Sequence, residues 1–423
     1  MIAQAEDRPA RRPASKEGPI MSSPRPLDGL LVLDLTQMAS GPYGTMLLAD
    51  AGATVIKIER PGSGDPARFL PPFTEHEGAM VSAGIVRFGR NKRYLSLNLQ
   101  SAEGRATLLE LVRRADALWE NYVPGTMDRL GLSEAVLREA NPRLLHVAIS
   151  GYGSGVVAPA PFANRPALDL IAQAASGLMA VSGDPGGPPA QIGAVIGDLV
   201  PALYAVIAML FALRLRDRTG EGRFIEVAMV DALSALNERA AVGYSLTGRE
   251  YSRDWLGHGG PYGRFTARDR DVVIAASIPS LWERLAPAIG RADLLELAPA
   301  PDETGRWWRF GEVMKPAIVE WVGARTADDV VETLSAAGVP CAPVLGVAEM
   351  LASPQTTARR LIVEVPFAGG TVGTMGWPMK IEGVPEPAGG AIGAVGRDTE
   401  AVLRDLLGYD EAQIAALRAA RAI

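Results

Sequence analysis

Asp198 is the residue whose setting most suggests chemistry. It follows Gly197 and precedes a long apolar run in QIGAVIGDLVPALYAVIAML, residues 191–210. Its neighbours predict a helix N-cap: Asp is a favoured cap, Pro201 suits a first turn, and the apolar run is the helix body. The same placement offers reactivity. A helix N-terminus holds a carboxylate ionised through its dipole and free N–H groups, and a preceding glycine lets a substrate approach. A carboxylate placed in this way is a candidate nucleophile.

Groups able to hold an anion cluster after predicted strands. TVIKIE (54–59) ends at the acid–base pair Glu59 and Arg60, and RNKRYLSLNL (90–99) sets Arg90, Lys92 and Arg93 at the start of another strand. WENYVPGTMDRLGL (119–132) puts Asn121 and Tyr122 beyond a strand, with Arg129 following. Each stretch alone suits a solvated turn or a structural ion pair. Together they fall where open α/β sheets bind ligands. The net charge of -6 carries no nucleic-acid footprint, so local cations must do any anion binding. The single cysteine, Cys341, excludes an intramolecular disulfide and fits a reducing compartment. His76, His146 and His258 have no metal-ligand spacing, so no metal site is expected.

The elements that must position these groups follow from residue 27. At 423 residues and 48% hydrophobic, the chain can bury a large core in two or three domains. LLVLDLT (30–36), SGPYGTMLLADAG (40–52) and TVIKIE read as strand, helix and strand, a βαβ unit that predicts a parallel, Rossmann-like sheet. The first turn, TQMASGP, lacks GxGxxG, so a dinucleotide site is not supported. A helix over 101–117 and a strand over 144–150 continue the pattern. The expected fold is α/β, with a large Rossmann-like domain built from both chain ends (27–220 and 341–423) and a smaller α+β domain between them (221–340). That central section includes GHGGPYGRF, a glycine-rich turn into a strand, and the helix SLWERLAPAIG (280–290). Residues 1–26 read as a disordered leader without a signal-peptide core, with Met21 as an alternative start. The apolar run Leu199–Leu213 falls short of the ~20 residues that span a bilayer, which predicts a buried core helix in a soluble cytoplasmic protein.

Taken in order, these motifs are similar to those of the class III CoA-transferases, a family that includes formyl-CoA transferase and, as a divergent branch, α-methylacyl-CoA racemase. The resemblance rests on LDGLLVLDLTQMASGPYGTMLLADAGATVIKIERPGSGDPAR, NKRYLSLNLQSAEGRATLLELVRRADALWENYVPGTMDRLGL, NPRLLHVAISGYG, IGDLVPALYAVIAMLFAL, TGEGRFIEVAMVDAL and AAGVPCAPVLGVAEML. It implies that Asp198 attacks an acyl-CoA thioester, giving a mixed anhydride and then an aspartyl-CoA thioester. It implies an oxyanion-binding, glycine-rich loop at HGGPYG, with Gly259 and Gly260 as donors and His258 and Tyr262 close by. Met38, Ala39 and Ser40 would line the CoA channel, and Arg60, Lys92, Asn121, Tyr122 and Arg129 would meet its nucleotide and phosphates. CoA thioesters would be substrates, with no tightly bound cofactor. The resemblance further implies an obligate homodimer of two interlocked subunits, with neither nucleic-acid nor membrane partners.

The chain also departs from the family's patterns. Leu168 stands where the racemases carry a catalytic His, and Pro166 where some transferases carry a CoA-contacting lysine. Asp169 is open to a structural or an active-site role. WLGHGGPYG is shorter than the loop of members that use dicarboxylyl-CoA donors, so succinyl-CoA is not assigned as donor. A racemase-like epimerase and a non-catalytic CoA-ester-binding protein stay as alternatives; the intact Ile-Gly-Asp context of Asp198 favours transfer.

Overall fold

A computed structural model describes residues 24–184, 186–250, 253, 261–297 and 307–423. His258, Gly259 and Gly260 lie outside the described residues, as does the expected leader up to residue 23. The main sheet has six strands, all parallel: β1 (Leu31–Asp34), β2 (Thr54–Glu59), β5 (Arg93–Ser96), β6 (Ala117–Glu120), β7 (Leu145–Ser150) and β8 (Arg223–Ala228). A hairpin, β3 (Phe73–His76) and β4 (Ala79–Ser82), lies between β2 and β5 in sequence. The spatial order is β5-β2-β1-β6-β7-β8. The chain therefore starts in mid-sheet, winds out one way and then the other, and the reversal falls between β1 and β6. In doubly wound sheets this switch point opens a crevice at the strands' carboxyl ends.

The central strands β1, β2, β6 and β7 are buried on both faces, as parallel strands with helical cover require, and alternate residues face opposite layers. On one side Leu33, Ile56, Ile58 and Leu118 meet helix α2 (Ala102–Val112) and the chain's C-terminal residues Val402, Leu403, Ile414 and Leu417. On the other side Val32, Val55, Trp119 and Val147 meet helices α1 (Ser40–Asp50), α5 (Asp169–Ala175), α7 (Ile196–Thr219) and α8 (Met229–Ser234). Between them in sequence come the short helices α3 (Thr126–Arg129), α4 (Glu134–Ala140) and α6 (Leu178–Val181).

A separate antiparallel sheet, in the order β11-β10-β9, contains β9 (Tyr262–Thr266), β10 (Asp271–Ala275) and β11 (Cys341–Pro343). Its own core joins Val272, Ile274, Trp282, Met314, Ile318, Val330 and Leu334. β8 thus lies past the boundary expected at residue 220, and β11 past the one expected at 340. A hairpin, β12 (Ile362–Phe367) and β13 (Gly370–Met375), follows.

The helix carrying Asp198 differs from its expected form in two ways. It starts at Ile196 with Val195 as N-cap, so Asp198 is its third residue and caps nothing, and Pro201 lies inside it. The cap is supplied from elsewhere: Asp169 Oδ1 accepts the Gly197 N–H at 2.7 Å. With 24 residues, α7 is long and apolar enough to cross a membrane. Nor is it wholly buried. Ala205, Met209 and Ala212 pack on the sheet, while Leu203, Ile207, Leu210 and Phe211 form an exposed stripe.

Candidate active site

Asp198 is partly buried at the first turn of α7, and among the described residues its carboxylate accepts no hydrogen bond. Burial, and then the negative charge of Asp169, push its carboxyl up to about 6; Arg87 pulls weakly the other way. The expectation that free helix N–H groups hold it ionised needs correcting. Its own N–H donates to the Val195 carbonyl at 3.0 Å, and the N–H of Gly197 is already taken by Asp169. The result is an anion poorly compensated by its surroundings, the state in which a carboxylate is most reactive toward a carbonyl.

Asp169 opens α5 and binds this turn from outside. Its two oxygens accept from Gln173 Nε2 at 3.1 Å each, and Gln173 Oε1 accepts the Ile192 N–H at 2.9 Å. Asp169 therefore anchors the segment entering α7, and it also places a like charge beside Asp198. Gly197 serves this contact. A Cβ there would lie 2.5 Å from the Asp169 carbonyl oxygen, so the glycine is required by the approach of α5 to α7 as well as by any substrate.

The pH dependence of loading follows. Asp198 must be a carboxylate to attack, so the rate of covalent loading should rise with pH through about 6 and then level off. Asp169→Asn keeps an oxygen for the Gly197 N–H but removes the like charge, so the inflection should move toward acid. A pH profile of adduct formation for the two proteins tests this; an inflection unmoved by the substitution contradicts it.

At the switch point, the loop from β1 to α1 is held from both sides. Met38 sits at φ 68°, and its N–H donates to Asp65 Oδ1 at 3.0 Å. Asn121 brackets Gln37, accepting its N–H at 2.8 Å and donating to its carbonyl at 2.9 Å, and also reaches Ser40 Oγ at 3.3 Å. Met38 is exposed, whereas Ala39 and Ser40 are buried beneath it. Asn121 is thus a loop-setting residue. Tyr122 packs on the core under β6, where burial pushes its phenol up to about 12. Arg60 is exposed, without an ion pair among the described residues. Arg129 is exposed too, with one bond to Thr126 Oγ1 at 2.7 Å. The expected Glu59–Arg60 pair is replaced by Glu59–Arg68 at 2.9 Å, because the turn after β2 brings Arg68 back over the strand end. Tyr262 is exposed at the start of β9, an edge strand of the small sheet.

Lys92 is the clearest correction. Expected at the phosphates, it is buried, and its ammonium donates to Asp34 Oδ2 (2.9 Å), the Pro42 carbonyl (3.0 Å) and Thr45 Oγ1 (2.8 Å). It belongs to a buried group that the sequence reading missed. Asp34 and Lys57 are register partners on β1 and β2, and Lys57 pairs with Asp65 at 2.8 Å and donates to the Thr36 carbonyl. Burial alone would raise the Asp34 carboxyl, but Lys57 and Lys92 hold it far below the carboxylate range. The signal was present as charges inside otherwise apolar strands, LVLD and TVIKIE.

Residues 27–399 match CoA-transferase family III, and the chain belongs to that family. It is a class III CoA-transferase. The succinyl-CoA:mesaconate CoA-transferase of Haloarcula marismortui is 39% identical over 371 residues, covering 86% of this chain and 92% of the relative. The acetyl-CoA:oxalate CoA-transferase of Acetobacter aceti is 37% identical over 367 residues, 86% of this chain and 90% of that one. Among solved structures, a CAIB/BAIF family protein from Brucella suis superposes with a TM-score of 0.77 at 29% identity, covering 90% of this chain and 99% of its own.

Proposed function

We propose that the protein transfers CoA from an acyl-CoA thioester to a carboxylic acid through covalent intermediates on Asp198. The observation that carries this is the carboxylate in the first turn of α7, partly buried and without a hydrogen-bond partner among the described residues, in a chain of this family. An Asp198 oxygen attacks the thioester carbonyl; the C–S bond breaks, leaving a mixed anhydride and CoA thiolate. The thiolate attacks the Asp198 carbonyl, releasing the donor's carboxylate and leaving an aspartyl-CoA thioester. The acceptor carboxylate and the returning thiolate repeat these steps in reverse order, giving the new thioester and a free Asp198. No proton is gained or lost overall, so the exchange itself calls for no dedicated acid or base.

A racemase-like reading needs a base at the α-carbon. Leu168, at the position the racemases give to His, is an exposed hydrocarbon that cannot take a proton. We place the CoA nucleotide at the switch point, over Met38–Ser40, with Arg60 and Arg129 as its phosphate partners. Arg60→Ala should raise KM for acyl-CoA about ten-fold with little change in kcat, read from steady-state kinetics. The oxyanion donors are assigned to Gly259 and Gly260, beside His258 and Tyr262, on motif position alone. The exposed stripe of α7 supports a homodimer in which a second copy covers it, in a soluble cytoplasmic enzyme.

Intact-protein mass spectrometry after incubation with short acyl-CoAs tests the core reading. A CoA-sized adduct that is absent from Asp198→Ala supports it. No adduct with any donor, together with α-proton exchange in heavy water, sinks it.

A further inference from the structure

Helix α1 packs on α7 close to Asp198: a Cβ at Gly44 would lie 3.5 Å from the Ala202 carbonyl oxygen, one turn along α7 from Asp198. A cavity of about 290 Å³ is bounded by Tyr43 and Met46 of α1, by Arg87 and Phe88 just before β5, and by residues 372–375 of β13. Phe88 organises it. The Arg87 guanidinium lies over the Phe88 ring at 4.7 Å, and the Tyr43 ring meets the same ring at 5.4 Å and 60°. A cation and a phenol are therefore gathered on one aromatic platform at the wall of one cavity. Among the described residues neither the guanidinium nor the Tyr43 hydroxyl has a hydrogen-bond or ion-pair partner. Nearby arginines are committed: Arg90 to Asp50 at 2.6 Å and to Thr374 at 3.1 Å, and Arg68 to Glu59.

We propose that Arg87, with the Tyr43 hydroxyl as second donor, binds the remote carboxylate of a dicarboxylic substrate whose other carboxyl reacts at Asp198. This rests on the transferase reading and names its substrate class. A dicarboxylate reacting at one end keeps a charge at the other, and that charge needs a donor with nothing else to bind. The planar guanidinium fork matches a carboxylate, and Met46, Val86 and Val372 suit the carbon chain between the two ends. Tyr43 packs with Val206 of α7, so the cavity wall adjoins the helix that carries Asp198, and the charge of Arg87 favours the ionised form of the Asp198 carboxyl.

The test compares succinate with butyrate, acceptors of equal chain length, using the purified full chain and whichever acyl-CoA loads Asp198. The wild type should prefer succinate, and Arg87→Met should lower the ratio of the two kcat/KM values by about 30-fold. Arg87→Lys keeps the charge without the fork, should lower the ratio by about five-fold, and serves if the Met variant does not fold. An unchanged ratio in both variants, or a wild type that prefers butyrate, overturns the proposal and leaves the transferase reading intact. So does an equal rise in KM for every CoA thioester, which would mark Arg87 as a CoA-phosphate ligand. Absence of both adduct and transfer with all pairs overturns the transferase reading and this proposal together.

Discussion

Asp198→Asn should lose transfer activity by at least about 10⁴-fold and, at pH 7, become slightly more stable than the wild type. The activity loss follows from chemistry: an amide cannot form the anhydride, so no adduct appears and both halves of the exchange stop. The stability gain follows from linkage. The folded carboxyl titrates at about 6 against an ordinary 3.8, because burial and Asp169 disfavour its charge. Between those two values the folded protein holds a proton that the unfolded chain has released, so stability falls as pH rises through that window and the full penalty is present at pH 7. After allowance for partial exposure the penalty is about 1–2 kcal/mol, and Asn removes it while Asp169 keeps its bond to the Gly197 N–H. Thermal melts at pH 4 and pH 7 read the effect: the variant should gain at pH 7 and match the wild type at pH 4. A variant that still loads CoA, or that melts lower at pH 7, contradicts the assignment.

What the sequence revealed and what it hid divide along a physical line. TVIKIE matched β2 residue for residue, and LLHVAIS matched β7 but for its first leucine, because an apolar run bounded by turns is a local signal. The order of motifs placed Asp198 at the start of a long helix for the same reason. Long-range partners were invisible. The cap of α7 comes from Asp169, 28 residues upstream, so a rule that looks only at adjacent residues assigned the cap to Asp198 instead. Glu59 stood next to Arg60 in the chain, yet its partner is Arg68, delivered by a turn that propensity does not describe. Arg87 went unnoticed in IVRFGRNKR because a run of cations hides which one is left unpaired among the described residues, and the contacts of Arg90, Lys92 and Arg93 single it out.

Lys92→Met carries the largest expected effect on stability. The substitution keeps the length of the side chain and removes the ammonium that binds Asp34, Pro42 and Thr45 beneath the β1–α1 loop. Asp34 stays fully buried and keeps Thr36, Thr45 and the charge of Lys57, but Lys57 is already shared with Asp65 and the Thr36 carbonyl. Removing one partner from a buried ionic group costs about 3–5 kcal/mol, because the charge left behind has no water and only the shared Lys57 to offset it. The midpoint of urea unfolding should fall accordingly. Asp34→Asn combined with Lys92→Met should cost less than the sum of the two single substitutions, since the double variant strands no charge. The kinetic signature separates this role from phosphate binding: Arg60→Ala should raise KM at unchanged stability, and Lys92→Met should lower stability first. If instead Lys92→Met unfolds like the wild type and raises KM for acyl-CoA, the lysine reaches the phosphates during turnover, and the buried cluster is a resting arrangement that substrate binding opens.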